Sequence, residues 1–385
     1  MTSTMTKHVY WLMGIILMAC ACSSAPQQET EGKVYQVDLQ KKVNPFEEIF
    51  SKAEIIPLET VDNGLIVYCK KIYPVGNSWY IHDDWSQNLF AFSQAGKYEF
   101  QVGRKGQGPG EYLNLYDCII DSASNEISVL ESYGRVLQYD LTGKHKNTFE
   151  LPARPNYYSI EALSHDCLVT WSALEASDNS VLVLNKENGE TLNAYWKDDR
   201  MFNQQQMSPF YSYDGKTYFG VALRQQVYEV RKDTLALAYV WDFGKDNISE
   251  ERLKFYLDIE HPSERNNKIL NDMGTPLLPF TIEEQKQNHQ YCYVSLRLEM
   301  GVRPDLTHVF YDKKKKKALV FDHLDGKECK MNQPLYFGED YLLTDVLYDD
   351  REKFKSILPE SEYQKLKSML EDDNPCLLKL YFKKG

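Results

Sequence analysis

The glycine-rich stretch GRKGQGPGEY at residues 103–112 holds the residue types best suited to binding a ligand. Its glycines match neither GxxxxGK[ST] nor GxGxxG, the spacings that cradle phosphates, and no helical pattern follows them. The stretch therefore predicts a turn in which glycines adopt positive φ, Pro109 stiffens the chain, and Glu111 and Tyr112 anchor it. The alternative is a loop that contacts a ligand. Its ligand-facing residues would be Arg104, Lys105, Glu111 and Tyr112.

Aromatic residues near predicted strand ends offer a second kind of binding chemistry, because their rings stack on sugars and on peptide side chains. Trp85 and Trp171 are the candidates for facing a ligand in this way. Trp79, Tyr116 and Tyr211 occupy similar positions. Packing inside the core is the alternative, and it is favoured for most of the five.

Acidic residues recur at positions where a divalent cation such as calcium could bind in a central channel, provided that several of their oxygens converge. They are Asp83, Asp84, Asp117, Asp121, Glu260 with its neighbour His261, and Asp345. The chain has no EF-hand loop and no HExxH, CxxC or GxSxG motif. The sequence therefore predicts no catalytic residue and no cofactor, with a bound cation as the alternative.

A run of five lysines, 313–317, lies between the segments FYD and ALVF. The short spacing predicts a hairpin tip, where solvated charges discourage strand pairing at the sheet edge. The alternative is contact with an anionic glycan or a lipid headgroup.

The N-terminus predicts export and lipid anchoring. A short polar start is followed by an apolar run, 9–19, which at 11 residues is shorter than the roughly 20 needed to cross a bilayer. The run ends in LMAC, a match to the lipobox in which the cysteine, here Cys20, becomes the lipid-bearing N-terminus of a bacterial lipoprotein. Cleavage before Cys22 fits less well, and an ordinary signal peptide is the remaining alternative.

These features divide the chain into a signal peptide, 1–19, a polar tether, 20–33, and a folded domain, 34–385. The expected location is the cell envelope, at the outer membrane. Removing a signal that carries Lys7 changes the net charge from −12 to −13, which argues against a nucleic-acid partner. The six cysteines of the folded domain predict buried apolar positions, with a disulfide left open.

Internal repetition predicts the fold. Residues 79–100 and 126–149 align at a constant offset of 47, and both contain a Gly-Lys hairpin, at Gly96 and Gly143. Further units begin near residues 167, 217, 291 and 334. A period of 40–50 residues built from short alternating strands is typical of propeller blades, and the fold class is all-β.

Two segments interrupt the repeats: a partly helical insertion at 245–290 and a helix at 357–373. The remaining length, divided by the repeat, gives six blades. An open ring would expose sheet edges, so the chain ends must pair. The segments VYQVDL (34–39) and LLKLYF (377–382) are the candidates for that closure.

The chain resembles a family of six-bladed β-propeller lipoproteins of Gram-negative envelopes, with blades similar to NHL repeats. The resemblance depends on IIPLET (55–60), VGRKGQGPGEY (102–112), the two Gly-Lys hairpins, DFG (242–244) and DDNPCLLKLYFK (372–383). It implies a fold and a location and supplies no catalytic residues.

Three functions remain open at this point. The favoured hypothesis is a monomeric, non-enzymatic propeller that binds a glycan, a peptide or a protein. The second is a metal-dependent hydrolase or lyase of the lactonase kind, with its site in the central channel. The third is a sensor or assembly component that docks through the insertion at 245–290.

Overall fold

A computed structural model describes residues 32–154, 156–173, 179–196, 208–299, 301 and 304–384. Within them six small sheets form a ring, which confirms the predicted six-bladed β-propeller. The signal peptide, Cys20 and the tether up to residue 31 lie outside the described residues. No helix in the described part of the chain is long and apolar enough to cross a membrane.

Two strands precede the repeating part of the chain, and three blades of four antiparallel strands follow them. The first two strands are β1 (Lys33–Gln36) and β2 (Phe50–Pro57), with the short helix α1 (Pro45–Glu48) between them. Blade 1 contains β3 (Cys69–Val75), β4 (Ser78–Asp83), β5 (Asn88–Ser93) and β6 (Tyr98–Gln101). Blade 2 contains β7 (Asp117–Asp121), β8 (Glu126–Leu130), β9 (Arg135–Asp140) and β10 (His145–Glu150). Blade 3 contains β11 (Asn156–Ala162), β12 (Cys167–Ala173), β13 (Val181–Asn185) and β14 (Thr191–Tyr195).

The second half of the ring includes the two strands contributed by the N-terminal segment. Blade 4 contains β15 (Phe210–Tyr213), β16 (Lys216–Phe219), β17 (Gln226–Val230) and β18 (Leu235–Asp242), with β1 added in parallel to β18. Blade 5 contains β19 (Thr281–Gln287), β20 (Tyr291–Arg297), β21 (Leu306–Asp312) and β22 (Lys317–Phe321). Blade 6 contains β23 (Tyr336–Phe337), β24 (Tyr341–Val346), β25 (Cys376–Phe382) and, as its outermost strand, β2.

The ring closes through a different strand from the one predicted. β2, not the segment 34–39, pairs antiparallel with the C-terminal strand β25, and β1 lies at the outer edge of blade 4. Alternation alone favours the segment 34–39, because β2 departs from it at the bulge between Phe50 and Lys52. β2 has seven residues in register with β25, and its side chains Phe50, Ala53 and Ile55 are buried. The longer buried strand therefore occupies the position that closes the ring.

The predicted insertion at 245–290 is shorter than expected. It contains two helices, α2 (Glu250–Leu257) and α3 (Pro262–Asp272), but residues 281–287 form β19. Tyr256 and Ile269 on the two helices are completely buried, in an apolar cluster with residues of blades 3 and 4. The helices are therefore part of the propeller core. The helix predicted at 357–373 is also shorter, α4 (Glu360–Lys367), and a 3-10 helix, Tyr348–Ser356, precedes it.

Apolar clusters fill the spaces between neighbouring blades, and the cysteines contribute to them. All six cysteines among the described residues are buried, which confirms the prediction of buried apolar positions. The two Gly-Lys hairpins also adopt the predicted repeat, because Gly96 and Gly143 both have φ of +81°.

Candidate functional site

The two ends of the propeller differ in their loops. In each blade the first strand lines the central channel, and the strands then alternate in direction. The loop face is the end that carries the connections between blades and the loops between second and third strands. The hairpin face is the opposite end, with the turns between first and second strands. The glycine-rich stretch and both helices of the 243–280 connection belong to the loop face.

The glycine-rich stretch is a closed loop between blades 1 and 2. Gly103 and Gly110 have φ of +59° and +72°. The Gly106 N–H donates to the Tyr112 carbonyl (3.0 Å), and the Tyr112 N–H donates to the Arg104 carbonyl (3.1 Å). A Cβ at Gly103 would lie 2.7 Å from the Tyr139 hydroxyl oxygen. The backbone therefore adopts the turn that the glycines predict.

Glu111 holds this loop together. The Gly108 N–H donates to Glu111 Oε2 (2.8 Å), and Arg104 Nε donates to Oε1 (2.6 Å). These contacts hold the pKa of Glu111 below its ordinary value. The hydrogen bond from Gly108 has the largest effect and the one from Arg104 the next largest. Tyr112 is completely buried in the apolar cluster between blades 1 and 2. Both residues therefore act as anchors of the loop.

Three of the six proposed ligand-facing residues lie on the surface. Trp85 is 78% exposed, the Arg104 side chain is 77% exposed, and Lys105 is exposed. Tyr112 and Trp171 are buried, so the prediction that they face a ligand is wrong for both. Trp171 points to the same side of β12 as Cys167 and Val169, where it packs in the core cluster shared with blade 4.

A buried carboxylate holds Trp85 in place. Asp83 has no exposed surface and accepts hydrogen bonds from the backbone N–H groups of Val67 (3.0 Å), Tyr68 (2.9 Å) and Trp85 (3.2 Å). The side chains of Trp85 and Val67 nevertheless remain exposed, Val67 by 55%. The backbone is thus fixed while two apolar side chains face solvent.

Blade 2 repeats this arrangement. The buried Glu131 accepts from the Leu113 N–H (2.6 Å) and from Arg135 Nη2 (2.6 Å). Tyr133 is 72% exposed and Leu113 is 53% exposed. Tyr133 was not predicted from the sequence, although it follows Trp85 by 48 residues, one more than the repeat.

A lysine joins the two arrangements. Lys70 Nζ donates to Asp84 Oδ1 in blade 1 (2.8 Å) and to the Tyr116 carbonyl in the connection to blade 2 (2.9 Å). The exposed apolar residues of these loops are here named the loop-face patch. The patch consists of Val67, Trp85, Leu113 and Tyr133.

A polar network links neighbouring first strands beneath the loop face. Lys71 Nζ donates to both oxygens of Asp117, at 2.7 and 3.0 Å. The Ser159 hydroxyl and the Ile160 N–H donate to Asp117 Oδ2, at 2.9 and 3.0 Å. Ser159 Oγ is 2.8 Å from Ser208 Oγ. The first strands of blades 1, 2 and 3 are thereby linked to each other and to the connection that leads into blade 4.

The charges in this network stabilise each other despite burial. Burial disfavours the ionised form of Asp117, but Lys71 and Lys70 outweigh it, so the pKa of Asp117 lies below its ordinary value. Burial likewise disfavours the charged form of Lys71, but the negative charges of Asp117 and Glu161 outweigh burial and raise the pKa of Lys71. The network is therefore an ion pair held by hydrogen bonds inside the protein.

Two further titratable groups lie near this ion pair. Burial raises the pKa of Glu161, against the attraction of Lys71 and Lys286. Burial lowers the pKa of His82 to about 3, so its ring is neutral. Neither ring nitrogen of His82 has a hydrogen-bond partner among the described residues.

The acidic residues proposed as cation ligands are spread over the molecule. Asp83 and Asp117 are engaged by backbone groups and by Lys71, and Asp121 pairs with Lys186 (3.0 Å). Among the described residues, no three His, Cys, Asp or Glu side chains are placed to hold a metal ion. The donor geometry therefore gives no support to calcium at the channel.

A small pocket opens between blades 5, 6 and 1. Its volume for a water-sized molecule is about 30 Å³, room for about one water. Arg297, Asn332 and Asp345 supply its polar lining, and Leu306 and Leu335 supply apolar lining. Arg297 already forms a bidentate ion pair with Glu283 (2.7 and 2.8 Å). Part of the polar lining of the pocket is therefore already engaged within the protein.

The ring of six sheets, with its loops concentrated at one end, places this protein among the six-bladed β-propellers. The chain belongs to the family described as a domain of unknown function, DUF4934, which it matches over residues 34–381. A search of the curated proteins found no match.

Two crystal structures resemble this propeller. One is a Bacteroides fragilis protein described as exported, 18% identical, with a TM-score of 0.75; the match covers 91% of this chain and 100% of that chain. The other is a DUF4221 family member from Bacteroides vulgatus, 10% identical, with a TM-score of 0.54, over 87% of this chain and 98% of that chain. At these identities the likeness establishes the fold alone.

Proposed function

We propose that this protein is an exported lipoprotein of the cell envelope that binds a peptide or protein partner through the loop-face patch. The patch is the observation that carries the proposal. Export is supported by the signal-like N-terminus and by the exported protein of Bacteroides fragilis with the same fold. A six-bladed propeller fits a binding role, since propellers often act as rigid scaffolds for loops.

The patch has the properties of a preorganised binding surface. Trp85 and Tyr133 are large aromatic side chains, a type enriched among residues that dominate binding energy. Asp83 fixes the backbone of Trp85 and Glu131 fixes the backbone of Leu113, so little backbone entropy is lost on binding.

The aliphatic members of the patch and the charged residues next to it indicate the chemistry of the partner. Aliphatic Val67 and Leu113 favour an apolar protein surface over a sugar, because they offer no hydrogen bonds. Arg104 and Lys105 are exposed beside Tyr112, one residue from Leu113. A partner that presents apolar side chains flanked by carboxylates would complement this surface.

A metal-dependent hydrolase or lyase is not favoured. That mechanism needs several oxygen or nitrogen ligands that converge on one ion. Asp117, a carboxylate on a first strand, is already bound by Lys71, Ser159 and the Ile160 N–H.

The double substitution Trp85→Ala/Tyr133→Ala tests the binding proposal. Each aromatic anchor contributes about 2 kcal/mol at a typical interface, so we expect partner affinity to fall by at least about tenfold. The thermal midpoint should change little, because both side chains are exposed. Partners are captured from a detergent-solubilised envelope fraction, identified, purified and titrated against each variant.

The matched control is Val34→Ala/Leu192→Ala, which truncates two exposed apolar residues on outer strands of blades 4 and 3. It should bind as the unaltered protein does. Equal affinity of the loop-face variant and the unaltered protein would refute the patch as the binding surface. A captured polysaccharide that depends on Trp85 would replace the protein partner with a glycan.

Lipid anchoring at Cys20 has its own test. We expect Cys20→Ser to abolish incorporation of labelled fatty acid and to release the protein from the membrane fraction. Cys22→Ser is the matched control and should remain lipidated. Loss of the label in Cys22→Ser and not in Cys20→Ser would move the anchor to Cys22.

A further inference from the structure

The chain enters the propeller at the hairpin face. β1 runs parallel to β18, with Lys33 beside Tyr239 and Gln36 beside Asp242. β18 is the fourth strand of blade 4 and runs from the hairpin face to the loop face. Lys33 is therefore the residue of β1 nearest to the hairpin face, and it lies beside the middle of β18.

The five-lysine run lies at this same face, in the neighbouring blade. Residues 313–316 form the turn between β21 and β22, which confirms the predicted hairpin tip. Asp312 Oδ1 shapes this turn by accepting from the N–H groups of Lys314 (3.0 Å) and Lys315 (2.8 Å). The side chains of residues 314–317 are exposed and project their charges into solvent.

Lys313 connects this hairpin to blade 4 and to the chain entry. Its Nζ lies 4.2 Å from the centre of the Tyr213 ring, in the first hairpin of blade 4. It also donates to Gln287 Oε1 (3.0 Å). Burial is the main cause that lowers the pKa of Lys313, and the nearby charge of Lys33 contributes. Lys33 and the lysine hairpin therefore form one basic surface.

This basic surface stands out in an acidic protein. The whole chain has a net charge of −12, yet six lysines, Lys33 and 313–317, gather here. Nearby hairpins contribute Asp214, Glu339 and Asp340, and Glu339 is paired with His289. Asp312 is engaged within the lysine turn. Lysines thus outnumber the acidic residues around the point where the chain enters.

We propose that Lys33 and the lysine hairpin bind anionic lipid headgroups and turn the hairpin face toward the membrane. The proposal extends the lipid anchor proposed at Cys20. Eleven residues, 21–31, separate that anchor from the described domain, and a chain of this length spans at most about 40 Å. Stable membrane attachment commonly combines an acyl chain with a basic patch, and each lysine near an anionic surface contributes about 1 kcal/mol.

The orientation has a consequence for the proposed function. The loop face is the opposite end of the propeller, so the loop-face patch would point away from the lipid. A partner could then reach Trp85 and Tyr133 without competing with the membrane.

Vesicle binding by residues 32–385, which contain the whole closed ring, tests the proposal. This fragment lacks Cys20, so its binding does not depend on lipidation. We expect it to bind phosphatidylglycerol-containing vesicles, not pure phosphatidylcholine vesicles, and to bind more weakly as salt rises. Lys314→Gln/Lys315→Gln/Lys316→Gln should lower the partition coefficient at least about tenfold.

The matched control removes three exposed lysines of the loop face, Lys105→Gln/Lys254→Gln/Lys327→Gln. It should change the partition coefficient less than about twofold. Equal losses in the two triple variants would show that net charge alone governs binding and would overturn the proposal. No binding to anionic vesicles, or binding of a soluble polyuronate in preference to vesicles, would also overturn it, whereas failure of the Cys20 experiment would leave this result unaffected.

Discussion

Asp117→Leu is expected to lower the free energy of unfolding by about 3–5 kcal/mol, because it leaves the Lys71 charge buried without its partner. Lys71 is 8% exposed and donates to both Asp117 oxygens. The substitution also removes the acceptor of the Ser159 hydroxyl and of the Ile160 N–H. Urea denaturation of the two proteins at neutral pH measures the difference.

The double variant Lys71→Met/Asp117→Leu separates the ion pair from simple loss of packing. It removes both charges, so we expect it to recover a large part of the lost stability. The comparison also needs the single variant Lys71→Met. If the loss of unfolding free energy in the double variant equals the sum of the losses in Asp117→Leu and Lys71→Met, the two charges are not coupled and the interpretation fails.

The same pair should give the protein a sensitivity to acid. The folded-state pKa of Asp117 lies below its ordinary value of 3.8. The ionised carboxylate therefore contributes fully to the free energy of unfolding above pH 3.8, and this contribution is lost as pH falls through the folded-state pKa. Asp117→Leu should therefore show a smaller loss of stability between pH 5 and pH 2 than the unaltered protein. A parallel pH profile for the two would contradict this assignment.

Gly96→Ala is expected to cost at least about 3 kcal/mol of stability. Gly96 has φ of +81°, where an L side chain costs about 1–2 kcal/mol. A Cβ at this position would also lie 2.0 Å from the Pro57 carbonyl oxygen, at the end of β2. The Glu59 N–H donates to the Gly96 carbonyl (2.7 Å), so the collision disturbs the contact between blade 1 and the strand that closes the ring.

Gly143→Ala is a closely matched control. Gly143 has the same φ of +81°, but the nearest atoms to a Cβ there are 3.5 Å away. We expect only the conformational cost, about 1–2 kcal/mol. Similar denaturation midpoints for the two variants would show that the backbone near Pro57 yields without cost.

These two glycines also show why the blade design is predictable from sequence. A hairpin position with positive φ favours glycine whatever packs around it. Gly96 and Gly143, 47 residues apart, therefore mark the repeat in the sequence. Alternating strands on each side of these glycines give the second signal. Together they predict the blades and their number.

The first strand of several blades escaped prediction for a physical reason. These strands line the channel and therefore carry polar side chains, as in TIEEQKQ of β19, where Glu283, Glu284 and Gln285 are buried. Local hydrophobicity does not identify such a strand. The Lys71–Asp117 pair was hidden likewise, because 46 residues separate its members and only the closed ring brings them together.

The loop-face patch was predictable in part. Trp85 was a candidate from its type and position, but exposure distinguishes it from Trp171. Trp85 lies in the turn between β4 and β5, whereas Trp171 lies on β12 and packs in the core. Tyr133 became a candidate only when the equivalent loop of blade 2 was seen in three dimensions.

The separation of β1 from β2 decides how the domain responds to mechanical load. A pull on the N-terminus reaches β1 first, which has four residues in register with β18. Between β1 and β2, the Val43 N–H donates to the Val320 carbonyl (2.8 Å), and Lys42 pairs with Asp322 (2.7 Å). Force must break these contacts before it loads β2. Blade 4 keeps four antiparallel strands when β1 detaches, so a pull on the N-terminus would extend the chain ahead of β2 while the ring stays closed.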